Sequence, residues 1–501
     1  MELLLGIDIG TSACKISLTR RDGTVVTDAS EPYGVYYPEP YFVEQDADEW
    51  WEAVCRGVRK CIDKSGCKPT DVVGIGIDGQ SWSAIPIDRD GNVLARTPIW
   101  MDHRSERQCE RLSREIGEDE IFSLCGNPLT SPYTTGKILW FRENMPDVFS
   151  HTYKILQSNA FIAYRLTGVT SHDVSQGYGI HGFDMRRMEW NSDMLSRMEI
   201  PVSILPDLYP CHGVIGKVTE SAAKLCGLAA GIPVVAGGVD SAAAALGAGA
   251  LHGGETQEQG GQSGGMSVCS DEYASDPRLI LCAHVVPGKW LLQGGTTGGG
   301  GVMRWITQEF AAYEREHEAE VGKGAMAQLD DLAAVVSPGS DGLVFLPYMA
   351  GERTPIWDAK AKGVFYGMDF SKTRGHFLRA AMEGVAFSLR HNLDVAESAG
   401  ATVSLMAATG GCANSRLWTQ IKADVTGKPI TVPGSDNSTN LGAAMLAGVG
   451  IGMYRDFEDA VASTVRVTRR HDPDPSVKTA YDKNYEIYLE LYEKLRDTMQ
   501  K

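Results

Sequence analysis

Apolar positions along the chain fall into short continuous runs that end in glycine turns, interleaved with longer stretches at helical spacing. Leu3 to Ile9 is an apolar run, Gly10-Thr11-Ser12 a turn, Cys14 to Thr19 alternates, and Asp22-Gly23 is a hairpin signal before Thr24 to Ala29. Helical spacing then predicts a helix over 46–64, opened by Asp46 or Asp48 and closed near Gly66. Val72 to Ile77 predicts a buried strand running into Asp78-Gly79-Gln80. Further helices are expected over Ser105 to Ile116, around Lys137 to Glu143 and over Ser158 to Leu166. Strands followed by long helices predict an α/β protein rather than a sandwich.

The second half repeats this idiom. Pro233 to Val239 predicts a strand ending in Gly237-Gly238-Val239-Asp240, followed by the small-residue run Ala242 to Ala250 and the glycine-rich stretch His252 to Gly265. That shift places a domain boundary near residue 250, giving an N-terminal domain over 1–250 and a C-terminal domain over 251–501. Beyond it come strand-and-turn signals at Gln262 to Val268 and Trp290 to Gly301, a helix over Thr373 to Ser398, a strand over Val403 to Ala408 ending in Thr409-Gly410-Gly411, and a helix from Ser415 to Thr426. No fixed repeat of 20–50 residues is present, yet the halves read as two copies of one architectural theme. Tyr485, Tyr488, Tyr492, Leu495 and Met499 share one face of a closing core helix.

Composition narrows the function classes. With 501 residues, 43% hydrophobic and 22% charged, the chain is a globular protein of two to four domains, or two large ones. Its 47 Lys plus Arg against 64 Asp plus Glu give a net charge of −17, and no basic tract offers a nucleic-acid surface. No run of 18 apolar residues and no basic leader occur, so neither a membrane span nor a secretory signal is expected and the location is expected to be cytoplasmic. Eleven cysteines without a CxxC pair read as reduced thiols.

The common phosphate and metal motifs are missing. Gly136-Lys137 is followed by Ile138 and Gly427-Lys428 by Pro429, so neither is a P-loop; Gly294 to Gly301 has the wrong spacing for a dinucleotide turn, and no HExxH occurs. What remains is a set of strands that each end in glycine plus a carboxylate or hydroxyl. Asp8 followed by Gly10-Thr11-Ser12 suits phosphate cradled by backbone N–H groups, with the carboxylate orienting the waters of Mg²⁺. An ordinary hairpin turn with a satisfied Asp is the competing reading. Asp240, at a strand end after two glycines, suits a base that takes the proton of an attacking hydroxyl; a structural helix cap is its alternative. Gln262-Ser263-Gly264-Gly265 and Thr409-Gly410-Gly411 supply a second phosphate turn and a nucleotide-facing turn.

Taken together these residues resemble the FGGY carbohydrate kinases. Gly363-Val364-Phe365-Tyr366-Gly367-Met368 and, seven residues on, His376-Phe377-Leu378-Arg379-Ala380-Ala381-Met382-Glu383 fit that family's C-terminal signature at every constrained position. Thr134, Lys137, Ile138, Trp140, Phe141, Glu143 and Asn144 fit the N-terminal one, with Pro132 as a departure. The resemblance runs from Gly6 to about Gly452. It implies two actin-like, ribonuclease-H-like domains around a central ATP and sugar cleft, with Asp240 as catalytic base and Asp8 and Asp240 serving Mg²⁺. Gly10, Thr11, Ser12, Lys15, Ser263 and Gly264 would hold the phosphates, and Gly410, Gly411 and Asn414 the adenosine.

For the substrate, the family's sugar pocket maps onto Gln80, Ser81 and Trp82 and onto Trp100 to Arg104, where Asp102 and Arg104 carry the polar groups. The layout is nearest to the xylulose kinase branch, but Gln80-Ser81-Trp82-Ser83 stands where that branch has Gln-Met-His-Gly. The resemblance thus implies ATP-dependent phosphorylation of a small sugar, first a ketopentose such as xylulose, with other ketoses, polyols and gluconate open. A non-catalytic sugar sensor is the rival, disfavoured because both Asp8 and Asp240 are kept. A homodimer is left open.

Overall fold

Each half of the chain is organised by a seven-stranded sheet, and the two sheets share one strand plan. The structure, a computed structural model, describes residues 2–434 and 437–501. In the first half the strands run in the order Val214–Lys217, Pro233–Val235, Val72–Gly79, Leu3–Ile9, Ala13–Thr19, Val25–Pro32, with Gly238–Val239 also paired to Val72–Gly79. Leu3–Ile9 is antiparallel to Ala13–Thr19 and parallel to Val72–Gly79. In the second half Trp290–Thr296, Gly264–Ser270, Glu255–Gly260, Leu405–Thr409, Ile430–Pro433 and Val467–His471 repeat the same alternation of antiparallel and parallel pairs. The two halves are therefore two copies of one α/β domain plan, as the sequence idiom predicts.

All seven residues of Leu3–Ile9 are buried because helices cover both faces of the first sheet. Helix Ala47–Ser65, capped by the Asp46 side chain on the Asp48 N–H, packs on one face. The other face takes helix Ser438–Gly450, which comes from the second half of the sequence and also packs against helix Asp240–Gly247. The approach is so close that a Cβ on Gly76 would lie 1.9 Å from the Ala443 carbonyl oxygen. Glycine at that position is what lets this helix reach across from the second half and join the two halves.

Two elements differ from the sequence expectation. The run Pro233 to Val239 is interrupted at Gly237, where φ is 78° and a Cβ would meet the Ile77 carbonyl oxygen at 1.9 Å. Glu255–Gly260, within the glycine-rich stretch that reads as a boundary, is a central strand of the second sheet. Helix Lys478–Met499 closes the second core by burying Tyr481, Tyr485, Tyr488 and Tyr492, and the Tyr348 hydroxyl donates to Tyr488 Oη at 2.7 Å. Among the described residues all eleven cysteines are free, and no helix is long and apolar enough to cross a membrane.

Candidate active site

Strand ends from both sheets face one cavity of about 280 Å³. The first half contributes Thr11, Ser81, Trp82, Trp100, Tyr178 and Asp240; the second contributes Gln257, Gln259, the turn Ser263-Gly264-Gly265, and Arg353. Among the described residues Asp240 and Arg353 are the charged side chains that line it.

Asp240 is the first residue of helix Asp240–Gly247, not its cap, which is Val239. Its Oδ1 accepts from the Ser241 N–H at 2.6 Å, and the rest of the carboxyl is left to the cavity. Burial, reinforced by the charge of Asp8, pushes its pKa up to about 7. A carboxyl poised there can take a proton from a hydroxyl near neutral pH.

Asp8 stands opposite Lys15 across the first hairpin, with Lys15 Nζ 3.3 Å from its Oδ2. On its other side is Asp78, in register on the neighbouring parallel strand. The Asp78 carboxyl is buried, faces that of Asp8, and has no N–H or hydroxyl donor on either oxygen. Burial raises the pKa of both, with each other's charge adding to the rise at Asp78 and Lys15 opposing it at Asp8. Two carboxyls placed this way call for a proton or a cation between them.

The turn after Asp8 is tied to the Trp100 side of the cavity. Trp100 Nε1 donates to Thr11 Oγ1 at 2.9 Å, and Gln45 Nε2 donates to the Thr11 carbonyl at 2.8 Å. The Gly10 carbonyl accepts from the Tyr33 hydroxyl, while Ser12 and the Lys15 chain are exposed. Gln80 is not among the residues that line the cavity: its Nε2 donates to Gln45 Oε1 at 2.6 Å and its Oε1 accepts from the Thr11 hydroxyl at 3.5 Å, so it braces the turn. Ser81 Oγ pairs with Tyr178 Oη at 3.0 Å. Trp82 adopts φ 60°, packs against Tyr133 with ring centroids 4.2 Å apart and planes tilted by 32°, and leaves its buried indole N–H without an acceptor. That unusual backbone is held by Lys137, whose buried amine donates to the carbonyls of Trp82 (2.7 Å), Ile99 (2.8 Å) and Pro132 (2.6 Å).

Asp102 and Arg104 do not line the cavity. Arg104 Nε donates to both oxygens of Asp102 at 2.9 Å, its Nη2 reaches Glu44 at 2.8 Å, and its guanidinium lies over the rings of Phe42 and Trp140. Asp102 also accepts from the Val43 N–H at 2.7 Å. The pair is satisfied internally and clamps the small sheet formed by Glu44–Gln45 and Thr97–Pro98.

On the second side, Gly410 and Asn414 line a separate pocket of about 240 Å³ with Thr409, Gly434 and Arg469, and Gly411 opens the short helical turn Gly411–Asn414 beside it. Sequence reasoning did not single out Tyr178, Gln257, Gln259, Arg353 or, as a site residue, Asp78. The polar pattern of Glu255–Gly260 was the available signal, because a buried strand carrying Thr256, Gln257 and Glu258 must direct polar groups to a partner or a ligand.

Comparison with known proteins agrees with this geometry. The model of the FGGY carbohydrate kinase N-terminal domain matches residues 3–247, and that of the C-terminal domain matches residues 260–451. A xylulose kinase of Staphylococcus epidermidis is 31% identical over 499 residues, 99% of this chain and 97% of its own. A gluconokinase of Bacillus subtilis is 30% identical, over 97% of this chain and 95% of its own. The crystal structure of a xylulose kinase from Rhodospirillum rubrum superposes with a TM-score of 0.91 at 32% identity, covering 100% of both chains. Both domain models are matched in order on the two halves that meet at Asp240 and the Ser263 turn, and the chain belongs to the FGGY family of carbohydrate kinases.

Proposed function

We propose that this carbohydrate kinase moves the terminal phosphoryl group of ATP to a hydroxyl of an open-chain ketopentose of the xylulose type. The observation that carries this reading is Asp240, a carboxyl with a pKa near 7 on a cavity that the Ser263-Gly264-Gly265 turn also lines. The substrate hydroxyl loses its proton to Asp240 as its oxygen attacks phosphorus, the bond to the ADP oxygen breaks, and Asp240 returns the proton to solvent. Thr11 and the second turn offer hydroxyl and N–H donors to phosphate oxygens, and the pocket at Gly410 and Asn414 takes the adenosine.

A divalent cation fits the first turn. Asp78 holds two buried acceptor oxygens without donors beside the Asp8 carboxyl, a hard-oxygen set suited to Mg²⁺. No group of three His, Cys, Asp or Glu side chains converges there among the described residues, so water and phosphate oxygens would complete the shell. When bound, Mg²⁺ neutralises phosphate charge and offsets the repulsion from a protein of net charge −17. Eleven unbridged cysteines suit a reducing, cytoplasmic setting.

A second reading, a sugar acid of the gluconate type, is favoured by Arg353 as a cation on the cavity wall. Turnover measured over a panel of ketopentoses, other ketoses, polyols and aldonates with ATP and Mg²⁺ separates the two. The expected result is a ketopentose preferred by about 10²-fold or more in kcat/KM. Phosphorylation of none of them above background hydrolysis of ATP would overturn the reading.

A further inference from the structure

Arg353 is built into the cavity more firmly than a chance surface arginine. The preceding residue, Glu352, accepts from the Thr297 N–H at 2.9 Å and from the Arg353 N–H at 2.8 Å with one oxygen, and from Thr296 Oγ1 at 2.5 Å with the other. On the other flank, Thr354 Oγ1 accepts from the Gly295 N–H at 2.5 Å and donates to the Gly295 carbonyl at 3.2 Å. The Arg353 backbone is thus stitched on both sides to the end of strand Trp290–Thr296.

Among the described residues the guanidinium has no hydrogen-bond or ion-pair partner, with no carboxylate within 4 Å, although it lines the cavity. The oxygens of Glu352 are occupied by the contacts above, and burial pushes that carboxyl up to about 7, which weakens it as a counter-charge. A half-buried cation without an anionic partner carries a desolvation cost that a ligand supplying the anion would offset.

Its position says which anion. Arg353 Nη1 would lie 3.5 Å from a Cβ on Gly295, and Gly295 is paired in register with Gly265 of the phosphate turn. On the opposite side the guanidinium is 5.8 Å from the centre of the Trp100 ring and close to Tyr133 and Tyr178, the aromatic wall of the first half. It therefore stands between the turn suited to phosphate and the wall suited to sugar, on the cavity that Asp240 shares.

We propose that Arg353 is a catalytic residue that binds the oxygens of the phosphoryl group while it passes from ADP to the substrate hydroxyl. This deepens the kinase reading and rests on it. The phosphorus–oxygen bond to ADP breaks, the bond to the sugar oxygen forms and the hydroxyl proton goes to Asp240. Arg353 exchanges no proton; it donates hydrogen bonds to equatorial oxygens that carry more charge in the transition state than before it.

Arg353→Gln and Arg353→Lys test this, with thermal unfolding as the control for folding. The lysine variant keeps a cation and the packing should the glutamine variant fail to fold. For the glutamine variant kcat is expected to fall about 10²–10³-fold, with little change in KM for sugar or ATP, and for the lysine variant less. Calorimetric affinity for ADP with aluminium fluoride, a mimic of the phosphoryl group in transit, should fall by a similar factor while affinity for ADP alone is kept. Slow hydrolysis of ATP without sugar should fall in parallel, so these two arms decide the role of Arg353 even if no sugar in the panel is accepted. Unchanged aluminium fluoride affinity would overturn the proposal. So would a loss confined to sugar acids, which would make Arg353 a reader of a substrate carboxylate.

Discussion

Asp8 and Asp78 sit side by side in register on adjacent parallel strands, their carboxyls facing each other in the interior. Both pKa values are raised, chiefly by burial, so the folded protein holds protons that the unfolded chain releases. The stability this gives is fully present below the ordinary carboxyl pKa of 3.8 and is lost as pH rises through the folded values. Asp78→Asn is expected to raise Tm at pH 8 by a few degrees, because the new amide donates to the Asp8 carboxylate in place of the repulsion. It should also weaken Mg²⁺ dependence. A lower Tm at pH 8 in differential scanning calorimetry would contradict the carboxyl pairing.

At Asp240 the same sign argument separates stability from activity. Its folded pKa of about 7 exceeds 3.8, so stability falls as pH rises between those values. Asp240→Asn should unfold at a higher temperature than the parent at pH 8 while losing about 10²–10⁴-fold in kcat. A gain in stability with loss of function is the mark of a carboxylate kept in place for chemistry.

The pH profile of the parent follows from the same group. Because kcat/KM reports the free enzyme, it should rise about tenfold per pH unit below pH 7 and level off above it. Initial rates across pH 5–9 at sub-saturating sugar check this. A limb centred near the ordinary carboxylate range would mean that Asp240 is not the group that must lose its proton.

Trp82 and Asp102 are expected to behave oppositely. Trp82 lines the cavity, so Trp82→His should change kcat/KM ratios across the sugar panel, whereas the Asp102–Arg104 pair is engaged with Glu44 and Val43 away from it. Asp102→Asn should lower Tm, since it leaves a buried guanidinium short of a partner, a loss of about 3–5 kcal/mol. Sugar preference should stay unchanged. A changed preference in the Asp102 variant would place that carboxylate in the pocket after all.

How much of this was legible in the sequence varies with what each residue touches. Leu3 to Ile9, Val72 to Ile77 and the helix after Asp46 follow from apolar spacing and caps, since these elements are buried by local rule. Asp240 was legible because its glycines and small neighbours mark a close approach, and the structure sets it on the cavity. Asp78 was passed over because a strand-end aspartate looks the same whether it faces solvent or another carboxyl across a parallel pair. Glu255–Gly260 was hidden in a glycine-rich stretch that reads as a domain boundary, and its polar side chains, with Gln257 and Gln259 on the cavity, do not show the apolar run of a buried strand. Arg353 carries no local signal at all: its meaning lies in Gly295 and Trp100, each far away in sequence.

Lys137 tests the scaffold beneath the Trp82 turn. Its amine serves three carbonyls, so Lys137→Met should leave them buried without a donor at about 1–3 kcal/mol each, partly relieved by the burial that already lowers its pKa to about 7. Released from that anchor, the Trp82 backbone at φ 60° should relax. A lower Tm together with a higher KM for sugar, kcat being less affected, is the expected pattern; an unchanged KM would mean that the turn holds itself.

The central claim, phosphoryl transfer to a sugar hydroxyl with Asp240 as base, is tested most directly by phosphorus NMR of the parent and Asp240→Asn with ATP, Mg²⁺ and each ketopentose. With the parent a sugar phosphate ester resonance is expected to grow in step with ADP, and with the variant almost none. An equal rate of ester formation in the variant, or ADP formed with inorganic phosphate regardless of the sugar, would contradict it.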